Sequence, residues 1–179
     1  MSFTFTKQNI LYYANKYDER YKRTEDFFIE KELRDWFSKH RYLTRDKFIK
    51  LGLWKSKRPK RHYKNFKNTD GFVKNLTSLA FEASNERERI ELLLSTNNGL
   101  KGVSWPVAST ILHFAFPNKY SIMDFRAIWS LGIEKPKKYD YQFWLDYCKK
   151  IKMFAIKFKQ SIRTIDKALW QYSKENQKK

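Results

Sequence analysis

An all-α fold follows from three features of the 179-residue chain. Apolar residues recur at spacings of three and four in segment after segment, Gly and Pro are scarce at five and four residues, and aromatic side chains make up 18% of the sequence. Rings repeating at helical spacing fill the space between packed helices, and few breakers mean short connections. A hydrophobic content of 41% is enough to bury one sizeable core. The length then predicts a single compact helical domain over 1–179, or two small lobes flanking a cleft.

The elements can be justified in order. Thr24 precedes Glu25 and Asp26 and a run in which Phe28, Ile29, Leu33, Trp36 and Phe37 recur at helical spacing, ending near Lys39. Acids at the start and a base at the end suit the helix dipole, so this reads as a capped amphipathic helix. A second helix is predicted from Thr44 to Gly52, with Phe48, Leu51 and Leu53 as its apolar side. From Lys55 to Lys67 the run KSKRPKRHYKNFK has seven Lys or Arg and no acid, with Tyr63 and Phe66 among the charges and Pro59 blocking a continuous helix. It reads as an exposed basic connector, equally able to track a phosphate backbone with an aromatic stacking on a base or to be a solvated loop. Between Thr69 and Thr96 two consecutive helices are expected, the first carrying Phe72, Val73, Leu76, Leu79 and Ala80 and the second Ile90 and Leu92 to Leu94. Tyr141 to Lys159 and Ile162 to Tyr172 again alternate at three and four, and the polar residues 173–179 read as a frayed tail.

The net charge of +19 makes nucleic acid the first partner to consider, because a single-sign field of that size concentrates polyanions at the surface. Cys148 is the single cysteine, so no intramolecular disulfide forms and cysteine-based zinc or iron-sulfur sites are absent. His40, His62 and His113 lack partners at metal-ligand spacing, and no metal site is predicted. No basic segment leading into an apolar stretch opens the chain, and nowhere do about 18 apolar residues run together, so neither signal peptide nor membrane span is expected. The protein reads as cytoplasmic, with no membrane partner; its oligomeric state is not legible. No P-loop, serine elbow or dinucleotide fingerprint is present.

The informative stretch is NNGLKGVSWPVASTILHF, Asn97 to Phe114. After an apolar helix ending near Thr96, Gly99 and Gly102 permit a tight turn with positive backbone angles. Ser104 then suits a helix cap and Pro106 the first helical turn, while Val107, Ala108, Ile111 and Leu112 give the second helix an inward face. The N–H groups at the start of that helix, with its dipole, favour an anion. An ordinary helix-turn-helix connection without ligand has the same spacing.

Leu100-Lys101-Gly102-Val103-Ser104 followed by Ala108 resembles the L-P-G-V-G...A hairpin of the helix-hairpin-helix DNA glycosylases of base excision repair. Pro117 to Asp124 resembles the second half of that signature, a proline-containing loop leading to an aspartate at a helix start, and Leu131-Gly132 its close. The hairpin motif spans about 90–114 and the catalytic-helix region about 117–132. The resemblance implies that Gly102 and Ser104 grip a DNA phosphate, with a monovalent cation (Na+ or K+) on the hairpin carbonyls and no other cofactor required. It implies a catalytic role for Asp124, which lies 18 residues after Pro106, the family's separation between lyase lysine and catalytic aspartate. Pro106 stands where lyase-active members carry that lysine, which implies a monofunctional glycosylase, and Phe125-Arg126 replaces the usual Thr-His.

The chemistry gives an aspartate at that place a reason, since breaking an N-glycosidic bond builds positive charge on the sugar that a fixed carboxylate stabilises. Asp124 reads equally as the N-cap of the helix Phe125 to Leu131, a role compatible with catalysis. The expected partner is duplex DNA containing an altered base, bound by Lys101, Lys55, Lys57, Arg58, Lys60 and Arg61. Trp105, Trp36 and Trp54 are candidates to line a base pocket. Two other readings stay open: a non-catalytic helix-hairpin-helix DNA-binding protein, and an RNA-binding protein using Trp54, Tyr63 and the basic run.

Overall fold

The computed structural model describes residues 3–177, and among them every regular element is helical, with no β-strand. In chain order the α-helices are α1 (Lys7–Tyr21), α2 (Glu25–Phe37), α3 (Arg45–Lys55), α4 (Lys60–Tyr63), α5 (Asp70–Glu82), α6 (Glu86–Glu91), α7 (Trp105–Ala115), α8 (Phe125–Ser130), α9 (Tyr141–Phe158) and α10 (Ile162–Asn176). A 3-10 turn, Ser95–Asn97, lies between α6 and α7. The chain forms two compact units. Glu25–Ala115 is one, and the chain up to Thr24 together with Phe116 onwards is the other.

Local chemistry sets most helix starts. Thr6, Thr44, Thr69, Asn85, Asp140 and Ser161 each place a side-chain oxygen on an N–H three residues ahead, at 2.8 to 3.3 Å. Each such cap satisfies a donor the helix itself leaves open and contributes about 1 kcal/mol.

In the continuous unit, α2, α3, α5 and α6 pack with α7 around Leu33, Phe37, Phe48, Leu51, Val73, Ala80, Ile90 and Ile111. Helix α7 is buried around its whole circumference from Val107 to Ala115, Ser109, Thr110 and His113 included, rather than along an inward face alone. The hydroxyls of Ser109 and Thr110 donate to Pro106 O at 2.8 Å, which lets a polar pair sit inside.

Three expectations for this unit need correction. Helix α3 does not stop at Gly52 but runs to Lys55, because the glycine serves packing: a Cβ there would lie 2.8 Å from the Tyr63 ring. The second helix of the 69–96 stretch ends at Glu91, not near Thr96. Leu93 and Leu94 leave the helix because their carbonyls accept from Leu100 N and Gly99 N, folding the hairpin back over them. The basic connector contains the short helix α4, started by Pro59, and Tyr63 is fully buried.

In the other unit, α10 packs against α1, α8 and α9 through Ile162, Ile165, Ala168 and Leu169. Phe3 N donates to Ser130 O at 2.8 Å, and Phe5 stacks on Phe154 with centroids 3.7 Å apart. Helix α1 is not among the expected elements, although Ile10, Ala14, Tyr17 and Tyr21 hold the helical period. The tail is helical to Asn176, with Ser173 buried and Glu175 bridging to Lys16 at 3.1 Å; Lys178 and Lys179 lie outside the described residues.

Candidate functional site

The hairpin between α6 and α7 carries its positive backbone angles at Asn98 (φ 59°) and Gly102 (φ 92°), not at Gly99. Gly99 is required for space, since a Cβ would lie 2.5 Å from the Leu92 and Leu94 carbonyl oxygens. Gly102 combines both demands, and its added Cβ would meet the Tyr63 ring at 2.8 Å. The helical ladder of α7 begins with Ala108 N donating to the carbonyl of the exposed Ser104 at 2.8 Å, so the N–H groups of the preceding turn lie ahead of it.

The basic segment is joined to this hairpin by two buried side chains. Tyr63 lies edge-on to Phe48 and fills the space that both Gly52 and Gly102 leave by lacking Cβ atoms. Its hydroxyl is buried and meets no hydrogen-bond partner in the protein, and burial pushes the phenol well above the usual tyrosine range. Asn68, 0% exposed, donates through Nδ2 to His62 O (3.1 Å), Tyr63 O (3.1 Å) and Lys101 O (3.0 Å), and its Oδ1 accepts from Lys101 N at 2.9 Å. One amide thus holds the end of α4 and the tip of the hairpin together. Arg45, at the start of α3, donates to Lys64 O at 3.1 Å and Asn68 O at 2.9 Å, closing the turn between them. Neither Asn68 nor Arg45 carries any signal in the sequence, because their partners are more than 15 residues away or are backbone atoms.

Of the residues expected to contact DNA, Lys57, Arg58, Lys60 and Arg61 are exposed on and around α4, and Lys55 and Lys101 are half-buried. All six belong to this clamped region, with Gly102 and Ser104. Lys64 and Lys67 add two exposed cations. Trp105 is half-buried at the first position of α7. Trp54 donates its indole N–H to Asp26 O at 3.1 Å and packs edge-on against Phe114. Trp36 is stacked on His40 at 3.8 Å with its N–H on Tyr42 O at 2.7 Å. Both indoles therefore have a part in holding their own helices.

Asp124 belongs to the other unit. It is the N-cap of α8, its Oδ1 accepting from Arg126 N at 2.9 Å. The strand-like approach to it is pinned at Ile122, whose N–H donates to the buried Asp166 carboxylate at 3.1 Å and whose carbonyl accepts from Tyr147 OH at 3.0 Å. Tyr147 is raised well above the usual tyrosine range by burial, then by the charges of Asp166 and Asp124. Tyr139 is raised by burial and then by Asp124. Two neutral phenols thus share the electrostatic surroundings of the Asp124 carboxylate through the whole neutral range.

The hairpin oxygens that would hold a monovalent cation are already engaged. Leu100 O accepts from Val103 N, Val103 O from Ser95 N, and Lys101 O from Asn68. Each carbonyl oxygen keeps a second lone pair for such an ion. Among the described residues no group of three or more His, Cys, Asp or Glu could hold a metal ion, and no helix is long and apolar enough to cross a membrane. Comparison of the chain with family models, curated proteins and solved structures returns no match.

Proposed function

We propose that the protein binds duplex DNA through the hairpin and the basic segment, and hydrolyses the N-glycosidic bond of an altered base with Asp124 as the assisting carboxylate. The observation that carries the reading is the clamp: Asn68 and Tyr63 make a seven-cation, acid-free segment and a glycine hairpin into one body. Backbone phosphates are the ligand such a surface suits. N–H groups ahead of the α7 ladder offer donors to one phosphate, and flanking Lys and Arg neutralise its neighbours.

Asp124 enters through the hairpin–proline loop–aspartate register together with its half-buried place at the head of α8. In hydrolysis the bond from C1′ to the base nitrogen breaks as positive charge grows on the sugar. The carboxylate stabilises that charge and accepts a proton from the attacking water, whose oxygen becomes bonded to C1′, while the departing base takes up a proton at nitrogen. No amine stands at Pro106, so the product is an abasic site with an intact backbone.

The test is base release from a panel of duplex oligonucleotides, each with one altered base, with hot alkali to reveal abasic sites. Strand cleavage only after alkali, abolished in Asp124→Asn, is expected; asparagine keeps the cap, so a loss of activity reports chemistry rather than folding. Tight DNA binding with no release from any member would leave Asp124 as a cap and make the protein a non-catalytic DNA-binding protein.

A further inference from the structure

We infer that Phe66 is a preorganised aromatic wedge that enters duplex DNA at a weakened base step, which makes interrupted duplexes, those with an abasic site, bulge or mismatch, the preferred ligand of this surface. The inference rests on the DNA-binding part of the reading above and is independent of any role for Asp124.

Phe66 is 79% exposed, the largest exposure among the large hydrophobic side chains of the described residues. Phe28, in the same unit, is also exposed at 65%, so exposure alone does not single out Phe66; its surroundings do. It lies between exposed Lys64 and Lys67 in a segment without a single acid. Charge therefore draws that turn toward a polyanion, and an apolar ring at its tip would have no favourable contact with phosphates alone.

The turn that carries Phe66 is held from every side. Asn65 N donates to His62 O, Asn68 N to Asn65 O at 3.1 Å, and Lys67 N to the Asn65 side-chain Oδ1 at 2.9 Å. Arg45 clasps the carbonyls on both flanks, at Lys64 and Asn68, and the buried Asn68 amide ties the same turn to the hairpin. The ring is thus presented without a loop having to order on binding, which leaves only the side chain's own rotamer freedom to be lost on insertion. Apolar side chains that enter a base stack must first separate two bases, and this is cheapest where pairing or stacking is already broken. Stacking on the exposed base face then holds the ring in place.

The experiment compares full-length protein with Phe66→Ala and Phe66→Tyr on three probes of one sequence: a perfect duplex, the same duplex with one abasic site flanked by 2-aminopurine, and the corresponding single-stranded RNA. The wild type is expected to favour the abasic duplex over the perfect one, on the order of tenfold, with a change in 2-aminopurine emission on binding. Phe66→Ala should bind the perfect duplex with unchanged affinity and salt slope but lose that preference and the emission change, and Phe66→Tyr should keep both. Equal preference in the wild type and Phe66→Ala, or no preference in the wild type, overturns the wedge while leaving DNA binding standing. Stronger binding to the RNA than to either duplex overturns the wedge and the DNA reading together.

Discussion

Replacing Asn68 by Ala tests the clamp directly. The amide supplies two N–H hydrogens to three carbonyls at 3.0 to 3.1 Å and accepts the Lys101 N–H at 2.9 Å. Alanine removes them all from a site with no solvent exposure, leaving Lys101 N and the Tyr63 and Lys101 carbonyls to find partners. At about 1 kcal/mol for each hydrogen bond removed, and more for a stranded buried N–H, the destabilisation comes to about 3 to 5 kcal/mol. For a protein of this size that lowers the melting temperature by roughly 6 to 20 °C, read by circular dichroism in thermal and urea unfolding. Asn68→Asp sharpens the test. It keeps the acceptor for Lys101 N but turns a carboxylate oxygen toward three carbonyls, so the new carboxyl is pushed above the ordinary aspartate value of about 3.9 when folded. With the folded pKa raised, stability is fully present below about pH 4 and is lost as pH rises through the folded value. A loss under 1 kcal/mol for Asn68→Ala, or wild-type stability of Asn68→Asp at pH 7, would refute the clamp.

Tyr63→Phe keeps the ring between Gly52 and Gly102 and deletes a buried hydroxyl that has no partner, so it should raise stability by about 1 kcal/mol in urea unfolding. Because burial raises the phenol's folded pKa, the wild type should lose stability as pH climbs past about 10, the unfolded value, and Tyr63→Phe should lose less. Gly102→Ala forces a side chain into φ 92° and against the Tyr63 ring, costing about 2 to 4 kcal/mol by denaturant midpoint, whereas Gly71→Ala, in α5 with open space around it, should be neutral or stabilising. Changing Lys57, Arg58, Lys60 and Arg61 to Gln should flatten the dependence of log affinity on log salt by about 0.9 for each phosphate that is no longer neutralised, and an unchanged slope would remove this segment from the interface.

What can be read along the chain is whatever is local. The caps at Thr44, Thr69 and Asp124, the period of α2, α5, α9 and α10, and the hairpin followed by α7 all depend on residues within one or two turns. What escapes depends on distance. Gly52 looks like a helix stop because glycine often is one; only the approach of Tyr63, 11 residues on, shows why the helix continues past it. Tyr63 looks like a stacking residue because cations surround it, yet its partners are Phe48 and two glycines from other elements. The left-handed angle expected at Gly99 falls instead on Asn98, whose side chain tolerates it, and Gly99 stands where two carbonyls crowd. Of the candidate residues, the basic segment and Asp124 are visible as types and spacing, and the buried amide that organises that segment is not.

The division of the chain has a consequence for how it is made. The unit Glu25–Ala115 interrupts the other, whose first helix must wait for its last: α1 packs on α10, and the Asp18–Lys167 pair at 2.7 Å spans 149 residues. On a ribosome the inserted unit is complete in sequence while α8 to α10 are still unsynthesised, and α1 has nothing to rest on. Once the inserted unit has folded, about 90 residues no longer belong to the flexible connection between α1 and α10, and the entropy of closing that loop falls. Pulse-labelled hydrogen exchange during refolding should therefore protect α5 and α7 before α1, and simultaneous protection would show that the two units fold as one step.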